Sequence, residues 1–341
     1  MRLPLVTVLG ECVADAFTVP APVLAPTPTP MPTSGELALR VLPGGGPANT
    51  AVALARLGTP ARFLARLSDD VFGRLFRGHL EASGVDLTAA VRAPEPSTLA
   101  VAELDGRGQA AYSFHARGTA DWQWTAGELA AVDLASTACL HSGSLALVCE
   151  PGGTVVEEFL ARASATATVS VDPNVRPLLV PPAVYRERLP RWCALADILR
   201  LSEDDLELLL PGHTIERACD AWHAAGVPLV VITRGKRGAV ASLNGERIAV
   251  PAPPTDVVDT VGAGDSFTAG LLHHLGTRGL LGGRLTDLRV DDVFDACTFA
   301  SRVAALTCGV AGPNPPWAGQ LRLPATAAGR TIGGNGDWNG G

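Results

Sequence analysis

The sequence predicts an α/β protein: a doubly wound, mostly parallel sheet flanked by helices, with a small β-sheet laid over it as a lid. Three observations carry this expectation. From about residue 138 onward, short apolar runs alternate with helical patterns, the order of a parallel sheet with crossover helices. Polar clusters follow the apolar runs, at the strand C-terminal ends where open α/β sheets gather ligands. A hairpin pattern over residues 98–114 breaks the rhythm and supplies the second sheet.

Taken in order, Leu5 to Leu9 is an apolar run suited to a buried strand. It leads into Gly10-Glu11-Cys12-Val13-Ala14-Asp15, which sets Asp15 near that strand's C-terminal end. Pro20 to Pro32 is too proline-rich for a helix or a central strand and reads as an extended loop. Glu36 to Leu42 alternates weakly, as an accessory edge strand would. Pro43-Gly44-Gly45-Gly46-Pro47-Ala48-Asn49-Thr50 is a glycine turn opening a helix that Gly58 closes. Arg62 to Leu67 is the second strand, and Asp69-Asp70 starts a helix over Val71 to Ala82. Thr98 to Leu104 and Gln109 to Phe114 flank Asp105-Gly106 as a hairpin.

Then strand Ala138 to His141 precedes helix Thr154 to Ala165, and strand Thr168 to Val171 runs into Asp172-Pro173-Asn174-Val175-Arg176-Pro177. Helix Ala183 to Leu195, strand Ile198 to Leu201 and a helix from Glu203 to Leu210 with Ser202 as its N-cap follow. Helix Ile215 to Ala225 precedes strand Leu229 to Ile232 and Thr233-Arg234-Gly235-Lys236-Arg237-Gly238. Val250 to Pro254 is extended, and the last helix spans Asp292 to Thr307. One domain over residues 1–325 is expected, with lid strands inserted at about 14–42 and 96–118, and a loose tail at 326–341.

Composition narrows the function classes. With 47% hydrophobic and 18% charged residues among 341, the chain can bury a substantial core. A formal net charge of −7 argues against a general nucleic-acid surface. Any anionic ligand therefore needs a local site. The seven cysteines are scattered and form no C-x-x-C pair, so neither a disulfide framework nor a zinc site is indicated, and a reducing cytoplasm is expected. No apolar stretch reaches the length of a membrane span, and the N-terminus reads as a strand, not a signal peptide.

The densest chemistry lies in Asp259-Thr260-Val261-Gly262-Ala263-Gly264-Asp265-Ser266. Phe267, Leu271, Leu272 and Leu275 recur at helical spacing after it, so Gly262-Ala263-Gly264 opens a helix. The first N–H groups of that helix have no internal acceptor, and with the helix dipole they form an anion site. Asp265 falls within its first turn. It could simply cap the helix. A carboxylate beside an anion site also makes chemical sense if it takes a proton from a hydroxyl attacking a bound phosphoryl group. Neither a P-loop nor the G-x-G-x-x-G dinucleotide motif occurs, and Lys236 is the only lysine.

Gly44 to Gly58 and Asp259 to Leu272 resemble the two signatures of the ribokinase/PfkB family of carbohydrate kinases. Gly10-Glu11 with Asp15, Arg117 to Asp121, Gly143-Ser144-Leu145, Asp172 to Pro177 and Ala305 to Cys308 look most like its fructokinase branch. The resemblance covers about Leu5 to Trp317. It implies transfer of the ATP γ-phosphoryl group to a sugar hydroxyl, with Mg²⁺ on the phosphates. By that likeness Asp265 is the base and the amides of Gly262, Ala263 and Gly264 are the anion hole. Asp15, Gly45, Gly46, Asn49 and Arg176 face the sugar. Ser202, Asp205, Thr233, Gly235 and Gly238 border the nucleotide, with Asp205 acting indirectly on the metal. A monovalent cation such as K⁺ would sit near Asp256 and Val258.

The likeness has departures. Ser202-Glu203-Asp204-Asp205 stands where many relatives carry Asn-x-x-Glu, Arg200 where a lysine is expected, and Ser68 where a glycine is usual. Fructose is the substrate the likeness favours. A keto-acid such as 2-keto-3-deoxygluconate is the rival, since Arg176 or Arg117 could pair its carboxylate; ribose, a nucleoside, or binding without catalysis are further alternatives. The lid sheet could also pair two copies as a homodimer.

Overall fold

The computed structural model describes residues 3–18, 37–104 and 110–321. The Pro20–Pro32 segment, the Asp105-Gly106 turn and the 326–341 tail lie outside the described residues.

The elements run β1 (Leu5–Leu9), β2 (Val13–Thr18), β3 (Leu39–Gly44), α1 (Gly46–Arg56), β4 (Ala61–Leu64), β5 (Arg66–Ser68), α2 (Val71–Ala82), β6 (Val91–Ala93), β7 (Thr98–Leu104) and β8 (Ala110–His115). Next come α3 (Ala126–Ala130), β9 (Thr137–Gly143), α4 (Gly152–Ala163), β10 (Thr168–Asp172), α5 (Pro182–Leu195), β11 (Ile198–Ser202), α6 (Glu203–Leu209) and α7 (Ile215–Ala224). The chain ends through β12 (Leu229–Thr233), β13 (Ala239–Leu243), β14 (Glu246–Val250), α8 (Ala263–Thr277) and α9 (Val290–Cys308).

Eight strands form the main sheet in the order β14-β13-β12-β11-β10-β9-β1-β4. From β4 to β12 every pairing is parallel; β12 with β13 and β13 with β14 are antiparallel. Alternation along each strand sends side chains to two apolar layers. On β12, Leu229 and Val231 join the layer that holds Phe267, Leu271 and Leu272 of α8. Val230 and Ile232 join the layer of Tyr185, Trp192 and Trp222 from α5 and α7. Both faces are covered, as a parallel sheet requires.

The lid is a separate sheet of order β3-β2-β7-β8. Asp15 therefore does not end the first strand. It sits within β2, where it pairs with Leu42 and Ala100 on either side. The expected single strand over Arg62 to Leu67 also divides: β4 pairs with β1, while β5 turns away to pair with β6. Arg66 lies at that break. It is buried and bound to Glu95 and Glu128, and its Nε donates to the Ala120 carbonyl at 3.2 Å, contacts made outside the main sheet. The β13–β14 hairpin was not anticipated. Its turn is Asn244-Gly245, with φ of 48° and 95°, the conformation an Asn-Gly hairpin turn demands.

Candidate active site

Two helix N-termini face each other above the sheet. At α1, Gly45 holds φ of 101°, and a Cβ there would come 2.6 Å from the Glu11 carbonyl oxygen. Glycine is thus required by both backbone conformation and close approach. At α8, Gly262 is left-handed, with φ of 76°, and a Cβ would meet Pro313 at 2.8 Å. Between the two helices, Asn49 Nδ2 donates to Asp265 Oδ2 at 2.9 Å. Thr50 Oγ1 donates to the Gly46 carbonyl at 3.1 Å and reaches toward the Asp265 carbonyl at 3.5 Å.

The cleft at this junction is lined by Gly46, Thr50, His141, Ser144, Asp172, Asn174 and Asp265, among others. Asp265 is the third residue of α8. It accepts from Asn49, not from its own helix start, so the reading as a mere N-cap does not hold. The amide ring differs slightly from expectation. Ala263 N–H already donates to the Thr260 carbonyl at 3.2 Å. The amides of Gly264 and Asp265 fall at the next two positions, where a helix offers no carbonyl to meet them.

Charge is poised here. Desolvation pushes the Asp265 carboxyl up to about 6, the Asn49 hydrogen bond works against that, and the Asp172 carboxylate adds to it; Arg176 and Arg200 oppose it. Asp15 is likewise raised to about 6, by desolvation first, with Arg176 lowering and Asp265 raising it. Its carboxyl lies directly over Gly44: a Cβ on that glycine would fall 1.9 Å from Asp15 Oδ2. Gly46 is hemmed in the same way, with a Cβ landing 2.8 Å from Asn174 Nδ2 and 3.2 Å from Asp265 Oδ1. The glycine run therefore lets Asp15, Asn174 and Asp265 converge on one small space.

The other expected residues separate into groups. Arg176 is exposed beside the cleft, its charge felt by Asp15 and Asp265. Ser202 and Asp205 form a capping box at the start of α6. Asp205 Oδ1 accepts from Val175 N at 2.8 Å and Oδ2 from Ser202 Oγ at 2.6 Å. Both oxygens are thus engaged in holding the 172–175 turn, and a metal would have to compete with those bonds. Thr233 ends β12 and accepts from Arg200 Nη2 at 2.8 Å. Gly235 has open space around it, whereas Gly238 is required by packing, since a Cβ would meet the Val250 carbonyl at 2.0 Å. Asp256 and Val258 lie exposed on the loop before α8, which Val258 N ties to the Cys308 carbonyl at 2.8 Å. Among the described residues no group of three or more His, Cys, Asp or Glu could hold a metal.

Buried polar residues around the cleft that were not among the expected site residues include His141, Glu11 and Arg200. His141 lies within β9, its Nδ1 3.1 Å from Ser170 Oγ, and desolvation pushes it down to about 3, so it is neutral. Glu11 is 2% exposed and raised to about 7, chiefly by desolvation. Arg200 is buried on β11 and donates through Nη1 to Asp172 Oδ2 at 2.7 Å. A polar side chain breaking a buried strand was the available signal for His141 and Arg200.

A mostly parallel sheet with a β-lid above two opposed helix N-termini is the ribokinase-like fold. Comparison with known proteins agrees. The family description "pfkB family carbohydrate kinase" matches residues 4–318. A fructokinase of Rhizobium leguminosarum bv. trifolii is 37% identical over 251 residues, 73% of this chain and 76% of the relative. A Klebsiella pneumoniae fructokinase is 38% identical over 72% of this chain and 81% of its own length. Among solved structures, fructokinase from Xylella fastidiosa with bound ATP has a TM-score of 0.79 at 25% identity, covering 91% of this chain and 93% of that one. Fructokinase from Vibrio cholerae with fructose, ADP and calcium has a TM-score of 0.75 at 26% identity, covering 91% and 94%. The chain belongs to the pfkB family of carbohydrate kinases, in its fructokinase-like branch.

Proposed function

We propose that this protein is an ATP-dependent, fructokinase-like sugar kinase in which Asp265 accepts the proton of the attacking sugar hydroxyl. The observation that carries the reading is the Asn49–Asp265 contact, which sets a carboxylate raised to about 6 beside the free amides of the α8 N-terminus. Above neutral pH that carboxyl is largely ionised, as a base must be. As its oxygen takes the proton, the hydroxyl oxygen bonds to the γ-phosphorus and the bond from that phosphorus to the β–γ bridging oxygen breaks. The Gly264 and Asp265 amides, with the α8 dipole, stabilise the charge on the transferring group. Asp15, Asn49 and Asn174, held close by the glycine run, receive the sugar's other hydroxyls. The β2–β3–β7–β8 lid excludes water from the transfer.

Magnesium fits as an ion carried by the phosphates, with Asp205 acting only through its hydrogen-bonded neighbours, because the described residues offer no protein-built cage. Such an ion would neutralise phosphate charge. A potassium-type ion near Asp256 and Val258, a homodimer through the outer lid strands β3 and β8, and a cytoplasmic setting belong to the same proposal. No helix among the described residues is long and apolar enough to cross a membrane.

A coupled ADP-release assay over fructose, ribose, 2-keto-3-deoxygluconate and nucleosides tests the reading. Fructose is expected to give the highest kcat/KM. Turnover on the keto-acid alone would overturn it.

A further inference from the structure

We infer that Arg200 is a positioning residue for phosphoryl transfer: from beneath the α8 N-terminus it neutralises Asp172 and fixes the turn that carries Asp265. This rests on the reading of Asp265 as proton acceptor.

The alternation of β11 sends Ile198 into the apolar layer under α8, and Leu199 and Leu201 into the opposite layer. Arg200 shares the face of Ile198. It is therefore a cation at a core-facing position of a central strand, 5% exposed. Such a residue costs desolvation free energy and is kept only where its charge and donors are used. Here they are used three ways. Nη1 donates to Asp172 Oδ2 on β10, and Nη2 donates to Thr233 Oγ1 on β12, so the guanidinium spans the ends of both neighbouring strands. Its carbon lies 5.7 Å from the centre of the Phe267 ring, on α8.

The third use is contact with the α8 turn itself. A Cβ built on Gly264 would lie 2.9 Å from Nη1 and 3.0 Å from Nη2. The second glycine of the Gly-Ala-Gly-Asp turn is thus required by Arg200, because no side chain fits between the helix start and a guanidinium pinned at both ends. Nε is buried without a hydrogen-bond partner, so the two-point hold on Asp172 and Thr233 fixes the group even at that cost.

The groups facing Asp265 are Asn49 from α1, Asp172 from β10, Arg176 from the following turn, Arg200 from β11 and Asp15 from the lid. With Arg200 gone, Asp172 becomes an unpaired anion in this set. It would repel both the ionised Asp265 and the incoming phosphate.

The test compares Arg200→Met, Arg200→Gln and Arg200→Lys with the parent, using fructose and ATP. Arg200→Met and Arg200→Gln should lower kcat roughly tenfold or more and move the acidic limb of kcat/KM upward. Arg200→Lys should keep the limb in place. Adding Asp172→Asn to Arg200→Gln should return the limb toward its original pH, which a merely structural role would not do. If Arg200→Met fails to fold, Arg200→Gln decides, since its amide can still donate to Asp172 without the charge. An unchanged limb in the uncharged variants, in a protein that Asp265→Asn inactivates, overturns the role of Arg200. Turnover surviving Asp265→Asn overturns the reading beneath it.

Discussion

Asn49 Nδ2 donates to Asp265 Oδ2 across 216 positions of sequence, and this 2.9 Å contact locks the N-termini of α1 and α8 together. The bond favours the ionised carboxyl, in opposition to desolvation. Asn49→Ala should therefore raise the Asp265 pKa further above its present value near 6. The acidic limb of kcat/KM should move up by about half a unit to one unit, the worth of one hydrogen bond. A pH profile of kcat/KM measures this, and a limb that stays put would show that Asn49 does not act on the base.

Gly44 leaves room for Asp15. With a Cβ 1.9 Å from Asp15 Oδ2, Gly44→Ala must displace that carboxyl from the cleft. The sugar KM should rise roughly tenfold or more, while the ATP KM changes little, because Asp15 is proposed to receive the sugar. Initial rates with each substrate varied in turn separate the two. Equal rises in both constants would contradict the assignment of Asp15 to the sugar.

Glu11 gives a pH-dependent stability prediction. Its folded-state carboxyl is raised from 4.5 to about 7 by burial. Between those values the native protein keeps a proton that the unfolded chain has released. Stability from this group therefore falls as pH rises toward about 7 and levels off above it. His141 and His273, lowered by burial, push the other way below pH 6.5, while Asp15, Asp121 and Asp265, raised to about 6, push the same way, so the parent profile alone does not isolate Glu11. They cancel in a difference. The melting-temperature gain of Glu11→Gln over the parent should grow from pH 5 to pH 7 and then plateau. A gain that shrinks over that range would contradict it.

Much of the fold was legible, and the failures have physical causes. Asp70 caps α2 through a hydrogen bond to Gly73 N at 2.8 Å, and the apolar spacing after it fixes Val71–Ala82 as read from sequence. The hairpin at Asn244-Gly245 was also visible in principle, but its strands are short and its β14 half is only partly buried. The division at Ala65 was not visible, because it depends on Glu95 and Glu128 arriving from far along the chain to pair Arg66. At the site, the two glycine turns and Asp265 were legible because glycine and carboxylate chemistry is local. The engagement of Asp205 by Val175 and the seat of Arg200 under Gly264 were not, since both are tertiary contacts between segments far apart in sequence.

The proposed role of Asp265 is to remove the proton from the sugar hydroxyl. Asp265→Asn is to be assayed with fructose and ATP beside calorimetry of nucleotide binding. Its kcat should fall by about 10²–10⁴ with ATP affinity retained. Near-parental turnover in a variant that still binds ATP would contradict it.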